Sequence, residues 1–232
     1  MTSLISMPQN QIKYPSATSI KWFRQQLSIW SVANLRDFPW RRITDPYHLL
    51  VAESLLQRTD AQTVTPIYEL FLERYPSLED LAAANLADIT KILKPLGLFF
   101  RAERLQQCAE IILNRYDGKI PNTQEKLLKL PGIGDYSARA IGSQAFNQPL
   151  AVLDANVARI LERFFGLQGE RVKSRSKILW GAAELIAPKQ NVGTWNLTLL
   201  DFGAMVCKAP NPCCQACPLS SKCHHWNLNK LQ

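Results

Sequence analysis

The sequence predicts an all-α protein, and three observations support that prediction. Apolar residues recur at intervals of three and four along most of the chain, which places them on one face of a helix. Capping residues precede several of these stretches, such as Asp45 before Pro46 and Asp154 before Ala155. Alternating apolar and polar stretches joined by hairpin turns, which would predict strands, are absent.

Taken in order, the apolar spacing predicts eleven helices, of which the second and the ninth begin at the capped positions Asp45 and Asp154. The predicted bounds are 19–33, 46–58, 61–74, 77–84, 86–93, 101–115, 123–129, 135–146, 155–165, 173–186 and 194–206.

The seventh and eighth helices meet in the tight turn Leu130-Pro-Gly-Ile-Gly-Asp-Tyr136. Gly132 and Gly134 permit backbone angles and close approach that a Cβ would obstruct. The amides around Ile133 and Gly134 would then point outward at a helix N-terminus, where the helix dipole favours an anion. The turn therefore predicts a phosphate-binding helix-hairpin-helix, with an ordinary helix-turn-helix corner as the alternative. The apolar positions that let its helices cross are Leu127, Leu130, Ile133, Ala138 and Ile141.

Composition and charge narrow the choice of partner. The 232 residues can bury a sizeable core in one large or two small domains, and no apolar run is long enough to span a bilayer. The net charge of +8 lies at the ends: residues 1–42 and 170–232 each carry +5, whereas 43–169 carry −2. A basic protein can simply be soluble, but with the hairpin this charge favours nucleic acid. Met1–Ser16 lack the apolar core of a signal peptide, so we expect a cytoplasmic protein.

The C-terminal region holds the second motif, a C-x6-C-x2-C-x5-C loop. A cytoplasmic chain keeps such thiols reduced, so a metal site is favoured over disulfides. A single C-x2-C pair favours [4Fe–4S] over zinc, which stays an alternative. Cys213 could replace its neighbour as a ligand, whereas His224 and His225 are read as solvated residues of a polar tail. The four predicted ligands are Cys207, Cys214, Cys217 and Cys223.

Together, Leu130–Ile141, Asp154 and the cysteine loop resemble the helix-hairpin-helix DNA glycosylase superfamily. Within it, the chain is similar to the iron–sulfur branch of endonuclease III, MutY adenine glycosylases and archaeal thymine mismatch glycosylases. The similarity runs from about Trp22 to Cys223, and the cysteine spacing is the cluster spacing of that branch. One departure is Asn147-Gln-Pro149, which has proline but no glycine.

The resemblance implies two helical lobes with mismatched double-stranded DNA bound across the cleft between them. A six-helix lobe would span residues 40–148 and contain the hairpin at about 123–146. An iron–sulfur lobe would join residues 1–39 to 149–232, with the cluster loop at 207–223. This topology brings the basic ends together. We expect a monomer associated with the nucleoid.

Two carboxylates are the predicted chemical groups. Asp154, at the head of a helix, either caps it, stabilises the sugar cation that forms when a base departs, or does both. Glu53 shares a helical face with leucines, so burial would raise its pKa and keep it protonated as a general acid. The alternative is a rim residue paired with Arg42 or Arg58. The resemblance favours catalysis, because related enzymes have a glutamate at the matching position.

Tyr136 and Asn156 complete the predicted site. Glycosylases that also cut the strand have a lysine where this chain has Tyr136, and a phenol cannot form their Schiff base. A monofunctional enzyme that leaves an abasic site is therefore expected. Asn156 would hydrogen-bond Asp154 or the sugar. Expected DNA contacts are Leu130, Gly132, Ile133 and Gly134 at the phosphate, and Gln57, Arg58 and Thr59 at the orphaned partner base.

The base removed is predicted from smaller differences. Gln57-Arg58-Thr59 lies between the Gln-Gln-Thr usual in MutY-like enzymes and the Arg-Arg-Thr of thymine mismatch enzymes. Three features favour removal of thymine or uracil opposite guanine: Leu50, the sequence Asp-Ala-Asn at 154–156, and a chain that ends nine residues after Cys223. The alternatives are adenine opposite guanine or 8-oxoguanine, and a non-catalytic iron–sulfur DNA-binding protein. Tyr136 disfavours an endonuclease III-like lyase.

Overall fold

A computed structural model describes residues 14–97 and 99–230. Over these residues the chain forms twelve α-helices and no strand, which confirms the all-α prediction. None of the described helices is both long and apolar enough to cross a membrane. The helices are α1 Ala17–Asn34, α2 Pro46–Leu55, α3 Ala61–Arg74, α4 Leu78–Ala82, α5 Leu86–Leu93, α6 Phe100–Tyr116, α7 Gln124–Leu127, α8 Asp135–Ala145, α9 Ala155–Phe165, α10 Lys177–Ile186, α11 Val192–Met205 and α12 His224–Asn229.

The two predicted caps are present. The Asp45 carboxylate accepts hydrogen bonds from the amides of Tyr47 and His48, at 2.8 and 3.1 Å. The Asp154 carboxylate accepts one from the Val157 amide at 2.7 Å. Each side chain satisfies backbone donors that the first turn of a helix leaves without partners, so each determines where its helix begins.

Two predicted helix bounds are wrong by more than two residues. The helix predicted over 46–58 ends at Leu55, and Arg58 adopts a left-handed φ of 58°. The helix predicted over 173–186 begins at Lys177, because the hydroxyl of Ser176 caps it after a short 3₁₀ turn. The polar tail at 224 and 225 forms the start of α12, a helix that the apolar spacing does not predict, while His224 is exposed as expected. A six-residue helix carries too few apolar positions to show a helical period.

Two hydrophobic cores organise the described residues. One packs side chains of α2 to α8, from Trp40 to Ile141, and the other packs α1 and α9 to α11, from Ile20 to Leu219. Helix α8 contributes to both, because its Ala138 and Ile141 face the first core and its Ala140 faces the second. A helix shared in this way positions its side chains where the two cores meet. The lobe boundaries at 39/40 and 148/149 stay a prediction, and residues 1–13 lie outside the described residues.

Candidate active site

The hairpin forms where its sequence predicts, but the Ile133 amide, predicted to point outward, donates to the Leu130 carbonyl at 3.2 Å. Gly132 has a φ of 80°, and a Cβ there would lie 3.0 Å from Cδ of Arg104. Gly134 precedes α8, whose first turn has no side-chain cap, so its amides are available to an anion. The side chains of Leu130 and Ile133 are buried, because they anchor the turn on the core. Their amides donate within the hairpin, to the carbonyls of Leu127 and Leu130 at 3.0 and 3.2 Å, so the amides left for a phosphate are those at the start of α8.

A cavity of about 290 Å³ lies beside α8, between residues of both cores. It brings together all four residues predicted for catalysis: Glu53, Tyr136, Asp154 and Asn156. These residues come from α2, α8 and the start of α9, so only the tertiary fold makes them neighbours. The other residues that line the cavity are Arg36, Phe38, Trp40, Arg41, Leu56, Thr59, Asp60, Ala61, Gln144, Leu197, Leu200 and Ala204.

Glu53 is buried in α2, with 7% of its surface exposed. Burial raises the pKa of its carboxyl group to about 8, against the opposing effect of a hydrogen bond with Ser137. The group is therefore mostly protonated at neutral pH, as a general acid requires. The alternative pairing with an arginine is wrong, because Arg42 pairs with Asp37 and Arg58 is exposed to solvent.

Asp154 is held by a network of hydrogen bonds. Nδ2 of Asn156 donates to Oδ2 of Asp154 at 2.8 Å, which is one of the two contacts expected of Asn156. Arg159 in turn donates to Oδ1 of Asn156 at 2.7 Å and to the Cys207 carbonyl at 2.7 Å. Burial raises the pKa of Asp154, whereas the bonds from Val157 and Asn156 oppose the rise. The network orients the carboxylate and connects it to the cysteine loop.

Tyr136 is half-buried and packs against the second core while it lines the cavity. Burial raises the pKa of its phenol well above the usual value, and the charges of Glu53 and Asp154 add to the rise. The phenol thus stays protonated and can donate a hydrogen bond.

The segment Arg36–Arg41 is a cavity wall that sequence reasoning missed. Fully buried Asp201 on α11 accepts hydrogen bonds from the amide and Nε of Arg36, at 2.8 and 2.6 Å, and two from Arg41, at 2.5 and 2.8 Å. Burial favours neutral Asp201, but the bonds from Arg41 and Arg36 outweigh it and lower its pKa. Both guanidinium groups lie within 5.3 Å of the ring centre of Phe38, so one carboxylate holds the whole wall in place.

The segment predicted to contact the partner base lies against the hairpin. Nε2 of Gln57 donates to the Gly132 carbonyl at 2.9 Å. Arg101, only 2% exposed, donates to the Leu55 carbonyl at 2.9 Å, to the Gln57 carbonyl, and to Oγ1 of Thr59 at 2.8 Å. Arg101 thereby ends α2 and shapes the loop. No local sequence signal reveals this, since it lies more than 40 residues away from its partners.

The cysteine loop gathers its thiols near the C-terminus. The half-buried thiols of Cys214, Cys217 and Cys223 each interact electrostatically with that of Cys207. Burial raises the pKa of Cys217 to about 11, and the neighbouring thiols add to the rise. Among the described residues, no three His, Cys, Asp or Glu side chains are placed to hold a single metal ion. Cys213 is exposed, and its Sγ lies 3.9 Å from the Met205 carbonyl.

Comparisons with known proteins agree with this geometry. Residues 51–185 match the family described as HhH-GPD superfamily base excision DNA repair protein. The chain belongs to this superfamily. It is 37% identical to a thymine/uracil-DNA glycosylase of Methanothermobacter thermautotrophicus, over 86% of this chain and 90% of that protein. It is also 36% identical to the human adenine DNA glycosylase, over 87% of this chain but 39% of that protein.

Solved structures extend the comparison to the fold. A thermostable thymine-DNA glycosylase superposes with a TM-score of 0.87 at 35% identity, over 91% of this chain and 98% of that one. Endonuclease III trapped on DNA superposes with a TM-score of 0.80 at 23% identity, over 93% of this chain and 99% of that one, which shows a shared fold. The expected superfamily, its all-α fold and a DNA glycosylase activity are thus confirmed.

Proposed function

We propose that this DNA glycosylase flips a mispaired base into the cavity beside α8, hydrolyses its N-glycosidic bond and leaves an abasic site. The convergence of Glu53, Tyr136 and Asp154 in one cavity next to the hairpin carries this proposal. A stacked base cannot be reached inside a duplex, and a mispair costs least to extrude. The hairpin amides hold the phosphate backbone while the nucleotide turns into the cavity.

The two carboxyl groups have opposite tasks in this proposal. Glu53, whose burial keeps it protonated at neutral pH, donates its proton to the departing base. Ionised Asp154 stabilises the positive charge that develops on the sugar as the C–N bond breaks. Water then adds its oxygen to C1′, and the proton it loses restores Glu53. Asn156 and Val157 keep the Asp154 carboxylate oriented throughout.

Tyr136 supports a monofunctional enzyme. The phenol stands where related lyases carry an amine, and it has no lone-pair nitrogen with which to form a Schiff base with the sugar. The strand therefore stays intact until alkali or another enzyme cleaves the abasic site.

An aromatic pair beside the hairpin supports DNA binding through this face. Phe99 and Phe100 at the start of α6 are 66% and 41% exposed. The Arg104 guanidinium lies 4.3 Å from the ring centre of Phe100, and its stem lies against Gly132. Exposed aromatic rings next to a cationic backbone-binding surface are suited to stack on unpaired bases. We propose that they and the loop from Gln57 to Thr59 contact the opened duplex.

Thymine or uracil opposite guanine is the substrate we favour. Two relatives, a thymine/uracil-DNA glycosylase and a thymine-DNA glycosylase, are each 37% identical to the chain, which covers 90% and 92% of their length. Relatives named adenine DNA glycosylase share slightly less, 33 to 36% identity, and the chain spans 39 to 61% of their length. Adenine opposite guanine or 8-oxoguanine is the second candidate, because Glu53 could equally protonate a departing purine.

The cysteine loop is proposed to hold a [4Fe–4S] cluster on Cys207, Cys214, Cys217 and Cys223. Four thiolates can hold either a zinc ion or a [4Fe–4S] cluster, and the single C-x2-C pair favours the cluster. The Cys207 thiol interacts with each of the other three, which brings the four into one group. When bound, it would brace the loop whose Cys207 carbonyl holds Arg159. Exposed Cys213 is left out of the set. Visible absorbance and iron content test this assignment.

A panel of duplexes tests the function. Each carries one G·T, G·U, G·A or 8-oxoguanine·A pair and is scored for strand breaks with and without alkali. We expect breaks at G·T and G·U after alkali only. Efficient breakage without alkali contradicts monofunctionality, and release confined to adenine contradicts the favoured substrate. Asp154→Asn should abolish release and leave duplex binding intact. If the wild-type protein releases no base, the non-catalytic DNA-binding alternative stands.

A further inference from the structure

Gln144 lines the same cavity as Glu53, Tyr136 and Asp154. It stands on α8 seven residues after Ser137, the partner of Glu53. Seven residues make two helical turns, or about 10 Å, and return to nearly the same face of the helix. Gln144, Arg41 and Leu197 also line a second cavity of about 170 Å³, so they form the floor that separates the two.

The carboxamide of Gln144 is uncommitted. Among the described residues no hydrogen bond to its side chain occurs. Other polar side chains of the cavity are already engaged: Asn156 with Asp154, Thr59 with Arg101, and Arg41 with Asp201. An amide that faces a cavity with both its donor and its acceptor free can accommodate a ligand at no cost in protein hydrogen bonds.

Close packing holds the stem of Gln144 in place. Gly193 on α11 lies so near that a Cβ there would be 3.4 Å from both Cα and Cγ of Gln144, and 2.9 Å from the Ser143 carbonyl. Helix α11 therefore leaves this side chain little room on its own side. The amide is positioned by two packed helices, which suits a recognition element.

We propose that Gln144 reads the Watson–Crick edge of the flipped base. A carboxamide presents a donor and an acceptor side by side, and thymine and uracil present the complementary pair at N3–H and a neighbouring carbonyl. Flipped bases are read through this edge, and paired amide contacts of this kind discriminate bases. This inference rests on the proposed function, since it names how the excised base is recognised. Gln144 would determine specificity and would take no part in proton transfer.

The inference is tested by changing the side chain and the base separately and together. Single-turnover release is measured for wild type and Gln144→Leu on duplexes with uracil or N3-methyluracil opposite guanine. Loss of two neutral hydrogen bonds predicts that the variant releases uracil about 10- to 100-fold more slowly. The methyl group blocks the same contact, so the wild type should prefer uracil over N3-methyluracil and the variant should show little preference. Gln107→Leu, an exposed change on α6, is the matched control.

Binding to a duplex with a stable abasic analogue separates a loss of base recognition from a folding defect, because this ligand has no base. All three proteins should bind it with the same affinity. An equal preference for uracil in wild type and Gln144→Leu overturns the inference. If the wild type releases adenine but no uracil, the favoured substrate is wrong, and the cycle is repeated with adenine and 1-deazaadenine, which lacks N1. Equal preferences there overturn the inference separately. Release of no base at all overturns both.

Discussion

Replacing Glu53 by glutamine should stabilise the protein, and more so as pH rises. Glu53 is buried with one side-chain partner, Ser137, and its folded pKa is about 8 instead of 4.5. Between those pH values the folded protein keeps a proton that the unfolded chain releases. Folding therefore becomes less favourable as pH rises through this window. Glutamine is neutral at every pH and of similar shape, so its variant escapes this cost.

The magnitude follows from the width of the window. One proton changes the free energy of unfolding by about 1.4 kcal/mol per pH unit. The stability advantage of Glu53→Gln should grow at this slope from about pH 5 and level off above pH 8, at about 5 kcal/mol. At low pH, where both states bind the proton, the two proteins should differ little.

Urea unfolding at half-unit pH steps measures this difference, with tryptophan fluorescence and far-ultraviolet dichroism followed together to verify a two-state transition. Glu69→Gln is the control, because that carboxylate is exposed on α3 and solvated in both states. A difference that does not change with pH, or a variant that loses stability as pH rises, would refute a protonated Glu53. The variant should also release no base in single turnovers at any pH.

Three further predictions follow from the site. Tyr136→Lys should introduce alkali-independent strand cleavage, detected as a covalent adduct trapped by borohydride, because an amine then faces the sugar. The rate of base release should fall above about pH 8, because Glu53 then loses its proton. It should also fall in acid, because Asp154 then gains a proton, at a pKa above its usual value. A pH–rate profile that falls on one side only contradicts one of these two roles. Arg101→Met should lower the free energy of unfolding by about 2–4 kcal/mol, since it strands the Leu55 and Gln57 carbonyls, and a urea midpoint equal to that of wild type would contradict this.

Features encoded by neighbouring residues were predictable. The caps at Asp45 and Asp154 and the hairpin with Gly132 depend on residues within one or two turns of each other, and the four cysteines lie within seventeen residues. The end of α2 was not predictable, because the carbonyls of Leu55 and Gln57 accept hydrogen bonds from Arg101, which lies on another helix. Helix α12 was missed because six residues carry too little apolar pattern.

The cavity likewise has residues that the sequence could predict and residues that it could not. Glu53, Tyr136 and Asp154 could be named from the chain, because each departs from its local pattern: a carboxylate among leucines, a phenol at the hairpin and an aspartate that precedes a helix. The Arg36–Arg41 wall could not be named. Asp201 holds it across at least 160 residues, and nothing near Asp201 in the sequence indicates two arginine partners.

By itself, the sequence determined the all-α class, the hairpin and the spacing of the cysteine loop, because helical period, caps and residue spacing are local properties. Only the tertiary structure decided that Glu53 is protonated, since its pKa depends on how completely other helices exclude water from it. The structure alone also placed Gln144 at the cavity floor, because helices far apart in the sequence must pack before a shared cavity exists.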